Sequence, residues 1–253
     1  MDATGVRFFP VNEVPTKMKK LFIGLLAFFL AASSAVAQEK LQSWKKWSKS
    51  EAEKMLTDSP WAHPQVDMEL TDPNRLNRSR VAGIGNEDTR SRLNEERVAY
   101  YIRFYSARPI RQAFIRLLQL QQKNINPETL ARMNAFAEKQ PEDSIVLAVQ
   151  VDGPDTKPIE KVMQVLRTET TGTLRSVSYL ERSDGKRVYL TEYVPPGRDG
   201  VGARFVFPRK LDGQPFLTSK SASVRFIAEL GGSIKFDMIF KVREMIVDGE
   251  VEY

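Results

Sequence analysis

The residues best suited to acid–base or metal chemistry are scarce in this sequence of 253 residues, which contains one histidine, His63, and no cysteine. Zinc sites built from paired histidines or cysteines, cysteine nucleophiles, and any serine triad without His63 are therefore excluded. No Gly-x-Ser-x-Gly segment is present to carry a serine nucleophile. We predict no metal and no cofactor, and interpret His63 as a turn residue beside Trp61. A general base with a distant serine and carboxylate is the alternative.

Neighbouring acidic residues could supply the two carboxylates of a hydrolase. The pairs are Glu51 with Glu53, Glu95 with Glu96, and Glu142 with Asp143. Glycosidase-type catalysis needs two carboxyl groups about 5 to 10 Å apart across a cleft. Residues adjacent in sequence rarely meet that requirement, so we interpret all three pairs as solvated surface.

Arginine is concentrated between residues 75 and 116, where ten arginines and no lysine accompany four acidic residues. A guanidinium holds a carboxylate, phosphate or sulfate by two parallel contacts, which an ammonium group does not match. The candidates for gripping an anionic partner are Arg103, Arg108, Arg111 and Arg116. In the alternative, Arg111 and Arg116 line the solvent face of a helix and the other arginines pair with Glu95 and Glu96.

All three tryptophans, Trp44, Trp47 and Trp61, lie in one short segment. On a helix Trp44 and Trp47 would share a face, and Trp61 could fold back onto it. Large aromatic side chains are favoured anchors at interfaces. The three tryptophans therefore predict either a partner-binding surface or a surface that docks this segment onto its own domain.

The elements that must position these residues fall into an N-terminal helical arm (38–70), a connector (71–96) and a single domain (97–253). In the arm, Ser48 and Glu51 have the spacing of a capping box, and Ser59-Pro60 ends the helix that follows. A short strand is predicted from Val66 to Leu70. The connector has no sustained hydrophobic period.

The pattern of the domain predicts an α+β fold. Residues 97–105 alternate as in a strand, and residues 145–151 form an apolar run typical of a central strand. Helices are predicted after Pro109, Asn126 and Pro154. From Thr173 onward the period is two, with Asp-Gly or Gly-Gly turns at 184–185, 212–213, 231–232 and 248–249. We expect a C-terminal antiparallel meander in a mostly antiparallel sheet, with amphipathic helices on one face.

Residues 18–37 have the layout of a secretory signal peptide: lysines, an apolar run of 12 residues, and then Ala35 and Ala37 before a cleavage site at Gln38. The run is shorter than the roughly 20 residues of a membrane-spanning helix, so no transmembrane segment is expected after cleavage. Residues 1–17 are interpreted as the product of a mis-set start. Without a cysteine for lipid attachment, we predict a periplasmic or secreted protein.

Residues 47–62 include Trp47, Glu51-Ala52-Glu53-Lys54, Leu56 and Ser59-Pro60-Trp61-Ala62. This segment resembles the opening of a family of uncharacterised exported proteins from Gram-negative soil bacteria. Residues 101–114 and 179–197 are similar to the same family. The resemblance implies export without an assigned activity, and it supplies no catalytic residue.

The function that these features favour is a non-enzymatic binding or interaction domain of the cell envelope. Its partner would be another envelope protein or an anionic polymer, and nucleic acid is not expected for an exported chain without a nucleic-acid-binding module. One alternative is a hydrolase of an envelope or extracellular polymer that uses carboxylates, with His63 and orienting arginines. A second alternative is a protein bound to the membrane surface.

The cleavage site is testable by mass spectrometry of the exported chain, which is expected to begin at Gln38. Replacing Ala35 and Ala37 together by leucine should block processing, because the peptidase cleft accepts only small side chains there. Ala31→Leu, inside the apolar run, is the control and should leave processing intact. An exported chain that retains residues 18–37 would contradict the prediction.

Overall fold

The computed structural model describes residues 44–68, 97–122, 124–139, 141 and 143–253. All of them belong to one compact unit, Trp44–Tyr253. The predicted arm from Trp44 onward is therefore packed as part of the domain. The predicted signal peptide, the connector, Glu95, Glu96 and Glu142 lie outside the described residues.

Five α-helices and two single 3₁₀ turns occur in these ranges. The helices are α1 (Lys49–Thr57), α2 (Arg108–Gln121), α3 (Pro127–Glu138), α4 (Thr156–Thr168) and α5 (Thr171–Leu174), and the turns are Trp44–Lys46 and Val242–Glu244. The predicted capping box is confirmed, since the Ser48 hydroxyl accepts from the Glu51 amide and the Glu51 carboxylate accepts from the Ser48 amide. Asn126 caps α3 through its side-chain oxygen, which accepts from the Thr129 amide at 2.9 Å. Leu130 on α3 is 37% exposed.

Thirteen strands are described, and every pairing between them is antiparallel. Strands β1 to β7 are Ala62–Met68, Arg97–Phe104, Ser144–Asp152, Tyr179–Arg182, Arg187–Tyr189, Glu192–Val194 and Ala203–Pro208. Strands β8 to β13 are Lys210–Leu211, Gln214–Pro215, Ser223–Leu230, Ile234–Lys241, Ile246–Val247 and Glu250–Val251.

Nine of these strands form two larger sheets. Sheet 1 has the order β1-β2-β3-β7-β6, and sheet 2 has the order β11-β10-β4-β5. The remaining strands form the hairpins β8–β9 and β12–β13. The strand predicted from Val66 begins earlier, at Ala62, and is described as far as Met68. One prediction is corrected: the C-terminal strands do not form one meander, because β6 and β7 join sheet 1. The β3 strand is central, as predicted.

The core lies where the two sheets face each other, and it is built largely from aromatic rings. Phe205 of β7 lies 5.2 Å from Phe226 of β10, and Phe104 of β2 lies 4.8 Å from Phe240 of β11, measured between ring centroids. The alternating apolar side chains of β10 and β11, and Val242 in the following turn, are buried except for Met238. Each buried phenylalanine contributes about 1.5–3 kcal/mol to folding.

Helices α1, α2 and α3 lie on the opposite face of sheet 1. Helix α4 lies toward sheet 2, since the carbonyl oxygen of its Leu166 accepts from the Tyr193 hydroxyl and its Val165 lies beside Gly231 of the β10–β11 turn. Along β2, Ile102 and Phe104 face sheet 2, whereas Tyr101, Arg103 and the following Tyr105 point the other way, because side chains alternate along a strand. Tyr105 packs between helices α2 and α3, at 6.0 Å from the ring of Phe114 and 6.2 Å from that of Phe136. The predicted α+β class, with mostly antiparallel sheets, is confirmed.

Gly202, just before β7, is required by the packing of β3 against the start of β7. Its φ is +93°, and an added Cβ would overlap the carbonyl oxygen of Val149 and lie 2.8 Å from the carbonyl carbon. Gly213 is a matched control, because its φ is +75° and nothing lies within 4 Å of its Cβ position.

We expect Gly202→Ala to lower the free energy of unfolding by about 1–3 kcal/mol more than Gly213→Ala, in urea denaturation. In both variants alanine must adopt an unfavourable left-handed backbone conformation, and only in Gly202→Ala does its Cβ also overlap Val149. Equal losses in the two variants would contradict this account of the β3–β7 contact.

Candidate functional site

The three tryptophans are all buried in the compact unit. The indole nitrogen of Trp44 donates to Glu138 of α3 at 2.8 Å, and that of Trp61 donates to the carbonyl oxygen of Glu252 at 2.8 Å. The carbonyl oxygen of Trp47 accepts from Arg116 at 2.7 Å. These contacts dock the N-terminal segment onto its own domain, which was one of the two interpretations, and they leave no tryptophan ring open to a partner.

Three of the four predicted arginines hold helix α2 to its surroundings. Arg108 pairs with Asp248 at 2.9 Å and with Glu252 at 3.0 Å. Arg116 makes the contact to Trp47. Arg111 is only 2% exposed and donates to the carbonyl oxygens of Ser106 and Phe136. The alternative that placed Arg111 on a solvent face is therefore wrong: its fork reaches from α2 to backbone carbonyls on both sides.

Arg103 differs from the other three, because it is buried without an acidic partner among the described residues. It is 4% exposed, and its Nε has no hydrogen-bond partner in the described part of the chain. Burial lowers the pKa of the guanidinium to about 10, so the group stays charged at neutral pH. Glu95 and Glu96, the partners considered from the sequence, lie outside the described residues.

His63 lies in strand β1, opposite Ile102, and not in a turn as predicted. Its ring packs on Phe240 with centroids 4.9 Å apart. Burial lowers the pKa of His63, and the carboxylates of Asp58 and Glu244 oppose that shift only partly. The imidazole is therefore held in its neutral form.

The acidic residues proposed for hydrolysis have other contacts where they are described. Glu51 belongs to the capping box, Glu53 lies 3.6 Å from Lys49, and Asp143 lies 4.0 Å from Lys210. Within the described ranges, no group of three or more His, Cys, Asp or Glu side chains could hold a metal ion. No helix in the same ranges combines the length and apolar character needed to cross a membrane.

A groove that the sequence did not predict lies between the β8–β9 and β12–β13 hairpins. It encloses about 340 Å³, and its polar walls come from Arg209, Lys210, Thr218, Ser219 and Glu250. A second hollow of about 180 Å³ shares Thr218 and is lined by Arg182, Ser183, Asp184, Lys220 and Ser221. We call these two adjoining hollows the basic groove.

Positive side chains outnumber negative ones in the basic groove. Its cations are Arg182, Arg209, Lys210 and Lys220, and its carboxylates are Asp184 and Glu250. Asp184 is already bound by both sides of the Arg182 fork, at 2.9 and 2.7 Å. The Lys210 side chain is 58% exposed, and Lys220 is exposed without an ion pair to any described residue. The two lysines therefore set the charge that a ligand meets.

The two arginines of the groove are fixed in place. The Arg209 guanidinium lies 3.9 Å from the centroid of the Tyr253 ring and donates to the carbonyl oxygen of Tyr253. Burial lowers the pKa of Arg209. Arg182 also donates to the carbonyl oxygen of Phe216 at 2.6 Å. The sequence predicts the Asp212-Gly213 turn but not the groove, because the segments 182–184, 209–221 and 249–253 that line it meet only in the folded chain.

No family model, curated protein or solved structure matches this chain. The family resemblance therefore stays a prediction.

The pH dependence of stability should report the burial of His63. Its pKa in the folded protein lies below the ordinary value of about 6.5, so only the unfolded chain gains a proton as the pH falls through that value. The free energy of unfolding should therefore decrease between pH 7.5 and 5.5, and level off once the folded protein also takes up the proton.

Urea denaturation of His63→Phe at pH 5.5, 6.5 and 7.5 tests this expectation. Phenylalanine keeps a ring against Phe240 but cannot be protonated, so the variant should lack that part of the decrease. His63→Gln loses the ring as well, and should show the same loss of pH dependence at lower overall stability. Curves for all three proteins that run parallel with pH would contradict the assignment.

Proposed function

We propose that this protein is an exported, non-enzymatic binding domain of the cell envelope, and that the basic groove binds an anionic polymer such as an acidic polysaccharide. The observation that carries the proposal is the groove itself, where exposed ammonium groups and side-chain hydroxyls line adjoining hollows. The signal-peptide pattern supports export, and the excess of positive side chains supports an anionic ligand.

The hydroxyl groups of the groove suit a ligand that carries both charge and oxygen-rich groups. The Ser221 oxygen accepts from the Thr218 amide at 3.1 Å, and the Ser183 oxygen accepts from the Ala222 amide at 3.3 Å. Because each oxygen is held by a backbone amide, each hydroxyl proton remains to be donated outward. Carboxylates and sugar hydroxyls both accept such protons.

The groove is also held in shape before any ligand arrives. The buried Phe216 ring anchors the segment after β9, and its backbone amide donates to the Arg209 carbonyl oxygen at 2.8 Å. Its own carbonyl oxygen accepts from Arg182. Binding therefore orders mainly the lysine side chains, which lowers the entropic cost of association.

Binding of polygalacturonate, measured by titration calorimetry at low salt, tests the proposal against dextran as a neutral polymer. We expect binding to polygalacturonate only, weakening as NaCl rises from 50 to 300 mM because salt screens exposed charges. Lys210→Glu and Lys220→Glu should each weaken binding by about three- to tenfold. The affinity should fall further in the double variant.

Lys157→Glu provides the control, since Lys157 is exposed on the first turn of α4 and does not line the groove. It makes the same change in net charge and should leave the affinity unchanged. Equal weakening in all three single variants would show that only net charge matters, and the groove assignment would fail. Equal binding of dextran and polygalacturonate would remove the anionic specificity.

A further inference from the structure

Arg103 carries a positive charge into the interior on the helix-covered face of sheet 1. Its neighbours across the sheet are Ala62 on β1 and Ala148 on β3, which offer neither charge nor a polar side chain. The side-chain contact described for the guanidinium is with the ring of Tyr101, whose centroid lies 6.0 Å from the guanidinium carbon. Burying a charge without an opposite charge costs several kcal/mol, so such groups are normally paired.

The free edge of the Arg103 guanidinium is the edge suited to a two-oxygen ligand. Nε is buried and unpartnered, and the terminal nitrogens make no hydrogen bond to any described residue. Nε and a neighbouring terminal nitrogen lie side by side in the guanidinium plane. Their two N–H groups match the two oxygens of a carboxylate, phosphate or sulfate.

Two further arginines on this side of the sheet also keep an unpartnered nitrogen. Arg204 of β7 lies in the same cross-strand row as Arg103, with Ala148 between them, so their backbones are about 10 Å apart. The Nε of Arg204 is buried without a partner, although its fork also binds Asp199 at 2.8 Å. One terminal nitrogen of Arg111 is likewise unpartnered.

Tyr105 connects these groups. Burial raises the pKa of its hydroxyl, and the positive charges of Arg204 and Arg111 oppose that shift. Both arginines thus lie close enough to act on Tyr105, which is two residues from Arg103 on the same face of β2. Asp199 is paired with Arg204, and the carboxylates of Glu252 and Glu138 act on Arg111. Arg103 is therefore the cation of this layer for which no carboxylate is described.

We infer that Arg103 is the centre of a buried binding site for a small oxyanion, meaning a carboxylate, phosphate or sulfate group, between sheet 1 and the helices that cover it. Arg103 binds two of its oxygens, and Arg204 is the second cation along the row. The enclosure of Arg103 restricts the ligand to a small molecule or a single anionic group. This site is separate from the basic groove, because none of its residues lines that groove.

Thermal unfolding of the full exported chain tests the site with three probes: sodium phosphate, sodium sulfate and sodium acetate, each at the same ionic strength as a sodium chloride control. A ligand that binds only the folded protein raises the melting temperature with its concentration. We expect at least one of the three anions to do so beyond chloride. The most effective anion identifies the preferred class.

Arg103→Met removes the charge and keeps an unbranched side chain of related shape. Its melting temperature without added anion should equal or exceed that of the parent protein, since an unpaired buried charge is gone. Its affinity for the effective anion should fall at least about tenfold. Arg225→Met is the matched control, because Arg225 is exposed on sheet 2 and paired with Asp237 at 2.5 Å. It should keep the parent response.

Two outcomes would overturn the site. The first is a parent protein whose melting temperature moves no more with the three anions than with chloride, which decides the matter even if Arg103→Met fails to fold. The second concerns the Glu95→Gln/Glu96→Gln variant. If this variant is less stable than the parent protein and adding Arg103→Met removes that loss of stability, the Arg103 charge is paired within the chain. The Lys210→Glu/Lys220→Glu variant should keep the part of the anion response that Arg103→Met removes, which distinguishes this site from the basic groove.

Discussion

The layer of aromatic rings between the two sheets is the constraint on which the other parts of this structure depend. Phe205 contacts both Phe226 and Phe236, so one side chain of sheet 1 fixes the position of two strands of sheet 2. Because this layer occupies one face of sheet 1, the opposite face is left for helices α1, α2 and α3. The buried arginines and the tryptophan contacts all lie outside the aromatic layer, where polar groups can find backbone carbonyls.

Arginine serves two physical roles in the helical half of the unit. Arg108, Arg111 and Arg116 use their forks to satisfy carboxylates or backbone carbonyls, which joins α2 to α3, to the C-terminal hairpin and to the N-terminal segment. Arg103 joins nothing that the structure describes. Arginine thus cross-links the structure at three positions and carries a charge without a described acceptor at the fourth. The surroundings of each arginine determine which role it has.

Local signals in the sequence were sufficient for most individual elements but not for their assembly. The capping box at Ser48 and Glu51 and the Gly231-Gly232 turn depend on residues a few positions apart, so their geometry follows from spacing alone. The transfer of β6 and β7 to sheet 1 depends on contacts between distant strands, which a period of two does not encode. In the same way, Arg182, Arg209, Lys210 and Lys220 lie close together only in the folded protein, where β4 lies beside the segment from Arg209 to Ser221.

The contact between Trp61 and Glu252 joins residues 191 positions apart in the chain. A contact between residues so distant in sequence raises the contact order of a fold, and folding slows as contact order rises. During synthesis, the first strand of sheet 1 cannot gain this partner until residue 252 has emerged.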